Sequence, residues 1–319
     1  MDKKGAVLAF DTSNYTTSIA LMDESGALLD HQRKLLSVPT GKRGLRQSDA
    51  LFQHVRELPG LMDRMRGSLK QVAVSAVGYS SRPRRVEGSY MPVFLAGESL
   101  ARSLAVTHQA ACMAFSHQEG HIAAGLWSLG LEVNDPFYAL QLSGGTTELL
   151  RVDPAPDGGY RSAIIMDTSD LSLGQLIDRT GVALGLAFPA GPALEQLALG
   201  CQEKPFDIPF SITHNQISLS GPETFVQRKI GQGVSPALIA LSVFRFSGHL
   251  LGKIIIQAAK KEALPVLLTV GGVAANAIIR DQLAAFTASL PLTVHHALPE
   301  FCSDNAVGIA ALTQQGRRR

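Results

Sequence analysis

The chain has 319 residues, 45% hydrophobic and 18% charged, with a net charge of +2. That much apolar material excludes a disordered polyelectrolyte, and the length suits one large or two medium α/β domains. A near-neutral total excludes capture of a polyanion by bulk charge alone, and the three scattered cysteines (Cys112, Cys201 and Cys302) exclude a disulfide scaffold and fit a reducing cytosol.

The opening MDKKGAVLAFD carries no apolar run of signal-peptide length, and no later segment is expected to cross a membrane uninterrupted. A cytoplasmic location without a membrane partner follows as the expectation. GAVLAFDTSNYTTSIALMDESGALLDHQ reads as three strands: an apolar run to Phe10, a Thr/Ser turn, a run from Ser18 to Met22, a Glu-Ser-Gly turn, and a third strand. Asp11, at the end of the first, is expected to hold a hydroxyl or a metal-bound water. From His31 to Ser48 there are five basic residues (Arg33, Lys34, Lys42, Arg43, Arg46) and no acidic one. Residues 49–65 have helical periodicity, and VAVSAVGYS (72–80) is a buried strand. A Pro/Arg/Gly-rich loop (81–92) with Arg82, Arg84 and Arg85 follows, then an apolar helical run to Val106. With the tail Arg317, Arg318 and Arg319, these basic stretches suggest an RNA partner; solvated loops are the plainer reading of each.

In SHQEGH, Ser116 and Glu119 fit the S-x-x-E capping box, which starts a helix at Ser116. His117 and His121 then lie one turn apart on one face, within reach of a single metal ion. The bland alternative is two ordinary histidines at a solvent-facing helix start; a metal needs a third ligand from elsewhere. FYALQLSGGTTELLRVD (137–153) repeats the N-terminal plan of strand, small-residue turn, strand. Its SGGTT is bare enough for a phosphate to approach, or is merely a tight turn. Residues 201–224 lack periodicity and read as a long loop. LPVLLTVGGVAANAIIRDQL (264–283) reads as strand, glycine turn and helix, a layout that sets backbone N–H groups beside a phosphate, with Asn276 in the first helical turn placed for a base or ribose. Two such units feeding helices imply a duplicated α/β architecture with mixed sheets.

HQEGH, LSGGTTEL, DLSLGQLIDRTGVALGLAFPAGP (170–192), SLSG (218–221), GGVAAN (271–276) and PEFCSDNAVGIA (299–310) occur in that order. Together, over nearly the whole chain, they resemble the universal family that makes threonylcarbamoyladenosine on tRNA, formerly called O-sialoglycoprotein endopeptidase or glycoprotease. The resemblance implies the actin-like fold of sugar kinases and 70-kDa heat-shock ATPases: two ribonuclease-H-like lobes around a nucleotide cleft, here expected at 1–110 plus 297–319 and at 111–296. It implies one divalent metal, iron or zinc, on His117, His121 and Asp304, with Asp304 as the missing third ligand. It implies an adenine nucleotide, ATP or threonylcarbamoyl-AMP, on Gln141, Leu142, Ser143, Gly144, Gly145, Asp178, Gly191 and Asn276, with catalytic roles for Asp11 and Ser13. The activity implied is metal-dependent transfer of threonylcarbamoyl to the N6 amine of the tRNA adenosine next to the anticodon, with tRNA and either the family's partner subunits or a second copy as partners. A protease reading has little support, because Glu119 does not directly follow the first histidine.

The chain departs from the family's pattern mainly in charged groups. Tyr15 and Thr16 stand where an acidic pair is expected, and SSRPRRVEGSYMP replaces a G-P-G-L segment. Ser116 and Thr146 replace histidines, Gln175 a glutamate, Arg179 a lysine and Ala190 a glycine. In SGPET (220–224), Glu223 stands where the family has lysine. A second reading therefore stands beside the transferase: a non-catalytic nucleotide- and metal-binding paralogue that regulates or scaffolds the partner subunits.

Overall fold

The computed structural model describes residues 3–13, 15–38, 45–213 and 215–318. Asn14 and the basic residues Lys42, Arg43 and Arg319 lie outside the described residues. The chain forms two compact units, one of Met1–Asn134, Asp153–Arg161 and Ser303–Arg319, the other of Asp135–Val152 and Ser162–Cys302. The first therefore extends past the boundary expected at residue 110 and includes the HQEGH helix.

In the first unit, β1 (Lys4–Asp11), β2 (Thr16–Asp23) and β3 (Leu28–Leu35) form the expected antiparallel meander. α1 (Gln47–Leu69) leads into β4 (Val72–Arg82), α2 (Phe94–His108) and β5 (Ala111–Ser116). The sheet order is β3-β2-β1-β4-β5, with β4 and β5 parallel to β1. Helical crossovers explain the parallel half and short turns the antiparallel half. β1 and β2 are buried almost throughout, and Phe10, Ile19 and Leu21 meet Leu61 and Met65 of α1 and Ala101 of α2 in one core. α3 (His117–Ser128) follows β5 with no intervening loop, and α9 (Val307–Arg317) returns to pack on it.

In the second unit, β6 (Phe137–Leu142) and β7 (Thr147–Pro154) pair antiparallel around the SGGT turn, as the sequence suggested. β8 (Tyr160–Thr168), α4 (Leu173–Ala183), α5 (Gly191–Leu199) and the short β9 (Ile212–Thr213) and β10 (Gln216–Ile217) follow. Then come α6 (Ser220–Gly231), α7 (Pro236–Lys261), β11 (Val266–Val270), α8 (Ala277–Thr287) and β12 (Thr293–His296). The seven-stranded sheet runs β12-β11-β6-β7-β8-β10-β9. The segment read as a loop over 201–224 is irregular apart from the two-residue strands, but α6 already begins at Ser220. Among the described residues one helix, α7, is long and apolar enough by length and composition to cross a membrane. It is nevertheless a core helix: Ile239, Val243, Phe244, Leu250, Leu251 and Ile254 all sit in the second unit's hydrophobic cluster. Gly, Ser, Arg and His interrupt the run when read as sequence, and hide its length.

Candidate functional site

Glu119 and Gly120 of HQEGH, with Ser116 ahead of it, have distinct structural roles. Ser116 is the N-cap of α3; its Oγ accepts from the Glu119 backbone N–H, and Glu119 Oε2 accepts from the Ser116 N–H at 2.8 Å, completing the capping box. Glu119 is buried, and its other oxygen accepts from Arg85 Nη1 (3.2 Å) and the Tyr160 N–H (3.1 Å). It is an anchor for the helix start, with no lone pair directed at a ligand. Gly120 lets α9 approach: a Cβ on the facing Gly308 would sit 1.8 Å from the Gly120 carbonyl oxygen. That contact of two helix backbones brings the segment before α9, with Asp304, against the histidine face of α3.

Asp304 Oδ1 lies 3.3 Å from His121 Nε2 and 3.5 Å from His117 Nε2, and one donor atom from each of the three residues falls within 4.8 Å of the others. A tetrahedral ion with bonds of about 2.1 Å places its ligand atoms about 3.4 Å apart, so the donor set and spacing suit zinc or a similar divalent ion. The far ring nitrogen of His117, Nδ1, bonds Asp11 Oδ2 at 3.0 Å, the carboxylate–histidine arrangement that orients an imidazole ligand. Asp11 Oδ1 is filled by Ser80 Oγ (2.7 Å) and the Ser13 N–H (3.0 Å). Asp11 therefore holds a hydroxyl, that of Ser80, and with both oxygens engaged by the protein it orients His117. Ser13 Oγ stands 3.5 Å from His117 Nε2, beside the three donors.

Electrostatics follow from burial and pairing. Desolvation is the largest influence on buried Asp11 and on half-buried His117 and Asp304, and it opposes the charged form of each. In Asp304 the hydrogen bonds from the two histidines overcome it and hold the carboxyl far below the usual carboxylate range. The neighbouring His117, aided by Ser80, likewise keeps the Asp11 carboxyl below its ordinary value. The two carboxylates in turn push the His117 imidazole up to about 10.

The second unit gathers the other candidates less completely. In the 143–146 turn, Ser143 Oγ accepts from the Gly145 and Thr146 N–H groups, and Gly144 O accepts from Ser172 Oγ at 2.7 Å. The Leu173 N–H donates to Thr147 Oγ1, and a Cβ on Gly174 would meet Ser143 O at 2.4 Å. LSGGTTEL and DLSLGQL thus interlock. Asp170 adds SLSG, accepting from Ser218 Oγ, Ser220 Oγ and the Leu219 N–H. Gln141 and Leu142 are buried at the end of β6. Asp178 Oδ1 accepts from the Ala190 N–H at 2.8 Å, at the start of α5 where Gly191 stands. Asn276 is corrected from the first helical turn to the N-cap of α8, where its Oδ1 accepts from the Ile279 N–H; the neighbouring Ala277 N–H is taken by Glu195. Asp178 and Asn276 therefore each give a side-chain oxygen to a helix start. Glu195 thus occupies the first N–H of α8, a contact that the sequence does not reveal.

The basic stretches are also partly spoken for. Arg85 bridges Glu119 and Asp157, Arg33 Nη1 donates to Ser303 Oγ at 3.0 Å, and Arg317 and Arg318 bond to Glu24. Arg179 and Glu223, two of the departures from the family's pattern, form an ion pair with each other at 3.0 Å. Sequence reading missed Asp170, Ser80 and Gly308; their signal lies in partners 48 or more residues away.

A family model described as "TsaD: tRNA N6-adenosine threonylcarbamoyltransferase" matches residues 41–311. A tRNA N6-adenosine threonylcarbamoyltransferase of Polaromonas naphthalenivorans is 32% identical, covering 95% of this chain and 87% of its own length. A probable bifunctional tRNA threonylcarbamoyladenosine biosynthesis protein of Methanothermobacter thermautotrophicus is 29% identical over 93% of this chain and 53% of its own. Among solved structures, the ADPNP-bound activator of the 2-hydroxyisocaproyl-CoA dehydratase from Clostridium difficile matches with a TM-score of 0.55 and 12% identity, over 99% of this chain and 96% of its own. That likeness bears on fold alone, and the fold is the mixed α/β, actin-like one that the resemblance implied.

Proposed function

The chain belongs to the tRNA N6-adenosine threonylcarbamoyltransferase family, and on that premise we propose that it is an acyltransferase of tRNA. It takes threonylcarbamoyl-AMP as donor and the N6 amine of the tRNA adenosine next to the anticodon as acceptor, working in the cytoplasm with the family's partner subunits or a second copy. His117, His121 and Asp304 hold one divalent ion, iron or zinc. The observation that carries this reading is the convergence of those three donors, from two segments far apart in sequence, within 4.8 Å of one another, with Asp304 Oδ1 at 3.3 and 3.5 Å from the two histidine nitrogens.

When bound, the ion supplies a Lewis acid for an oxygen of the acyl group or an anchor for the threonyl carboxylate. Asp11, its own oxygens filled, holds His117 through Nδ1–H and so sets Nε2 on the side of Asp304 and Ser13. The Ser13 hydroxyl, 3.5 Å from that Nε2, is placed to hydrogen-bond a substrate oxygen. In the second unit, Gly144 and Gly145 leave space where a Cβ would meet nothing within 4 Å, and neither has a left-handed φ. Nothing in the fold requires glycine there, which supports close approach of a phosphate. The amine forms a C–N bond to the carbamoyl carbon, the C–O bond to phosphate breaks, the amine loses a proton, and AMP departs. No covalent enzyme intermediate is needed.

The Arg179–Glu223 pair favours the second reading, a metal- and nucleotide-binding paralogue without transfer. It neutralises two positions that are both lysine in the family's pattern. Expression in a strain lacking its own family enzyme separates the two. The transferase restores threonylcarbamoyladenosine in digested tRNA, and His121→Ala does not; absence of the nucleoside with folded wild-type protein overturns the transferase reading.

A further inference from the structure

Asp304 sits in a short segment ahead of α9, and the packing of α3 on α9 does not by itself fix its carboxylate. Two hydrogen bonds from β2 and β3 tether the segment on either side of it. Ser18 Oγ accepts from the Ala306 N–H at 2.9 Å, and Arg33 Nη1 donates to Ser303 Oγ at 3.0 Å, so the residue on one side of Asp304 and the one two beyond it are both tethered. Asn305 braces the segment from within, its Oδ1 accepting from the Val307 N–H and its Nδ2 donating to Ser303 O at 2.7 Å.

The tethers share a place in the sheet. Ser18 is paired directly with Asp11 on β1 and with Arg33 on β3. Directly opposed residues of antiparallel strands project from the same face. One cross-strand row, Asp11–Ser18–Arg33, therefore orients His117 at one end and the Asp304 segment along the rest. Ser18 is itself fully buried and oriented. Its Oγ lies 3.1 Å from His31 Nε2, and burial, with Arg33 nearby, pushes the His31 imidazole down to about 4, leaving it neutral near pH 7. In its Nδ1–H tautomer, Nε2 accepts the Ser18 hydroxyl proton, which leaves a Ser18 lone pair for the Ala306 N–H.

We propose that Ser18, braced by His31, and Arg33 are positioning residues that set the affinity and geometry of the ion site by fixing Asp304. This rests on the reading of His117, His121 and Asp304 as ligands. It gives β3, an edge strand whose basic residues suggested RNA contact, a role in metal binding.

The test is Zn²⁺ competition against a chromophoric chelator on the full-length protein, with the visible absorption of the Co²⁺-substituted form as second readout. Ser18→Ala and Arg33→Ala should each weaken Zn²⁺ binding about tenfold, and the double variant about a hundredfold, as loss of outer-shell partners does. Both should alter the Co²⁺ absorption bands, and Arg33→Lys should recover most of the loss. Arg33 is exposed, so its variants keep the fold even if Ser18→Ala does not. Wild-type Zn²⁺ affinity and Co²⁺ spectrum in folded Arg33→Ala, with His121→Ala unable to bind, overturn the inference and leave the ligand reading standing. A wild-type protein that binds neither ion overturns both.

Discussion

The two units treat their candidate residues in opposite ways. In the first, the polar groups around His117, His121 and Asp304 are arranged so that three donor atoms face one another while every supporting atom is engaged: Asp11 by Ser80, Ser13 and His117, Glu119 by Ser116, Arg85 and Tyr160. In the second, Asp178 and Asn276 give side-chain oxygens to helix starts, and the 143–146 turn closes part of its own N–H groups with Ser143. Ligand-type residues far apart in sequence that converge with inward-facing atoms are informative. Glycine and hydroxyl turns are less so, because their simplest partner is their own backbone.

That contrast can be broken at the helix contact that builds the first site. Gly308→Ala forces a Cβ onto the Gly120 carbonyl oxygen. Overpacking of this kind costs about 1–3 kcal/mol, and the upper end is expected because the clash is with backbone; a thermal melt measures it. An unchanged midpoint would mean that α3 and α9 do not need their close approach.

Acid should act on both units alike. His31 bonds Ser18, and His296 Nδ1 bonds Thr269 Oγ1 at 2.8 Å. Burial, helped by Arg33 for one and Arg280 for the other, lowers each imidazole to about 4. The unfolded histidines titrate near 6.5, so between about 6.5 and 4 the unfolded state binds protons that the folded state refuses. The contribution of these two histidines to stability is full above that window and is lost as pH falls through it. The urea midpoint should therefore drop from pH 7.5 to pH 5, and His296→Asn should flatten the drop; a pH-independent midpoint contradicts the assignment.

The smallest effect on stability is expected in the 143–146 turn, where it is the most informative. Gly144→Ala meets open space and should change stability by no more than about 0.5 kcal/mol, yet it should weaken adenine-nucleotide binding measured by calorimetry. Unchanged binding would make the turn a structural one only.

Much of the fold was legible in residue order. The alternation of apolar runs and small turns placed β1 to β3 and β6 to β7, and the Ser116–Glu119 spacing placed the start of α3, because period and capping are local properties. The unit boundary near residue 134 was not legible, since α3 joins the first unit through α9, almost 200 residues later. The length of α7 was hidden by its Gly, Ser and His residues. In the candidate site the residue types carried the resemblance, but their duties did not show. Glu119 and Gly120 resemble chemistry in the sequence and act as cap and close-packing surface in the fold. Arg85, read as a cation for RNA, neutralises Glu119.

The most direct test is the metal-to-protein ratio of the purified chain after reconstitution with iron or zinc under reducing conditions, beside His121→Ala and Asp304→Ala. We predict about one ion per wild-type chain, as three protein ligands and one open position imply, and none retained by either variant. A wild-type chain that stays metal-free, or variants that keep the ion, would contradict the assignment of His117, His121 and Asp304 as its ligands.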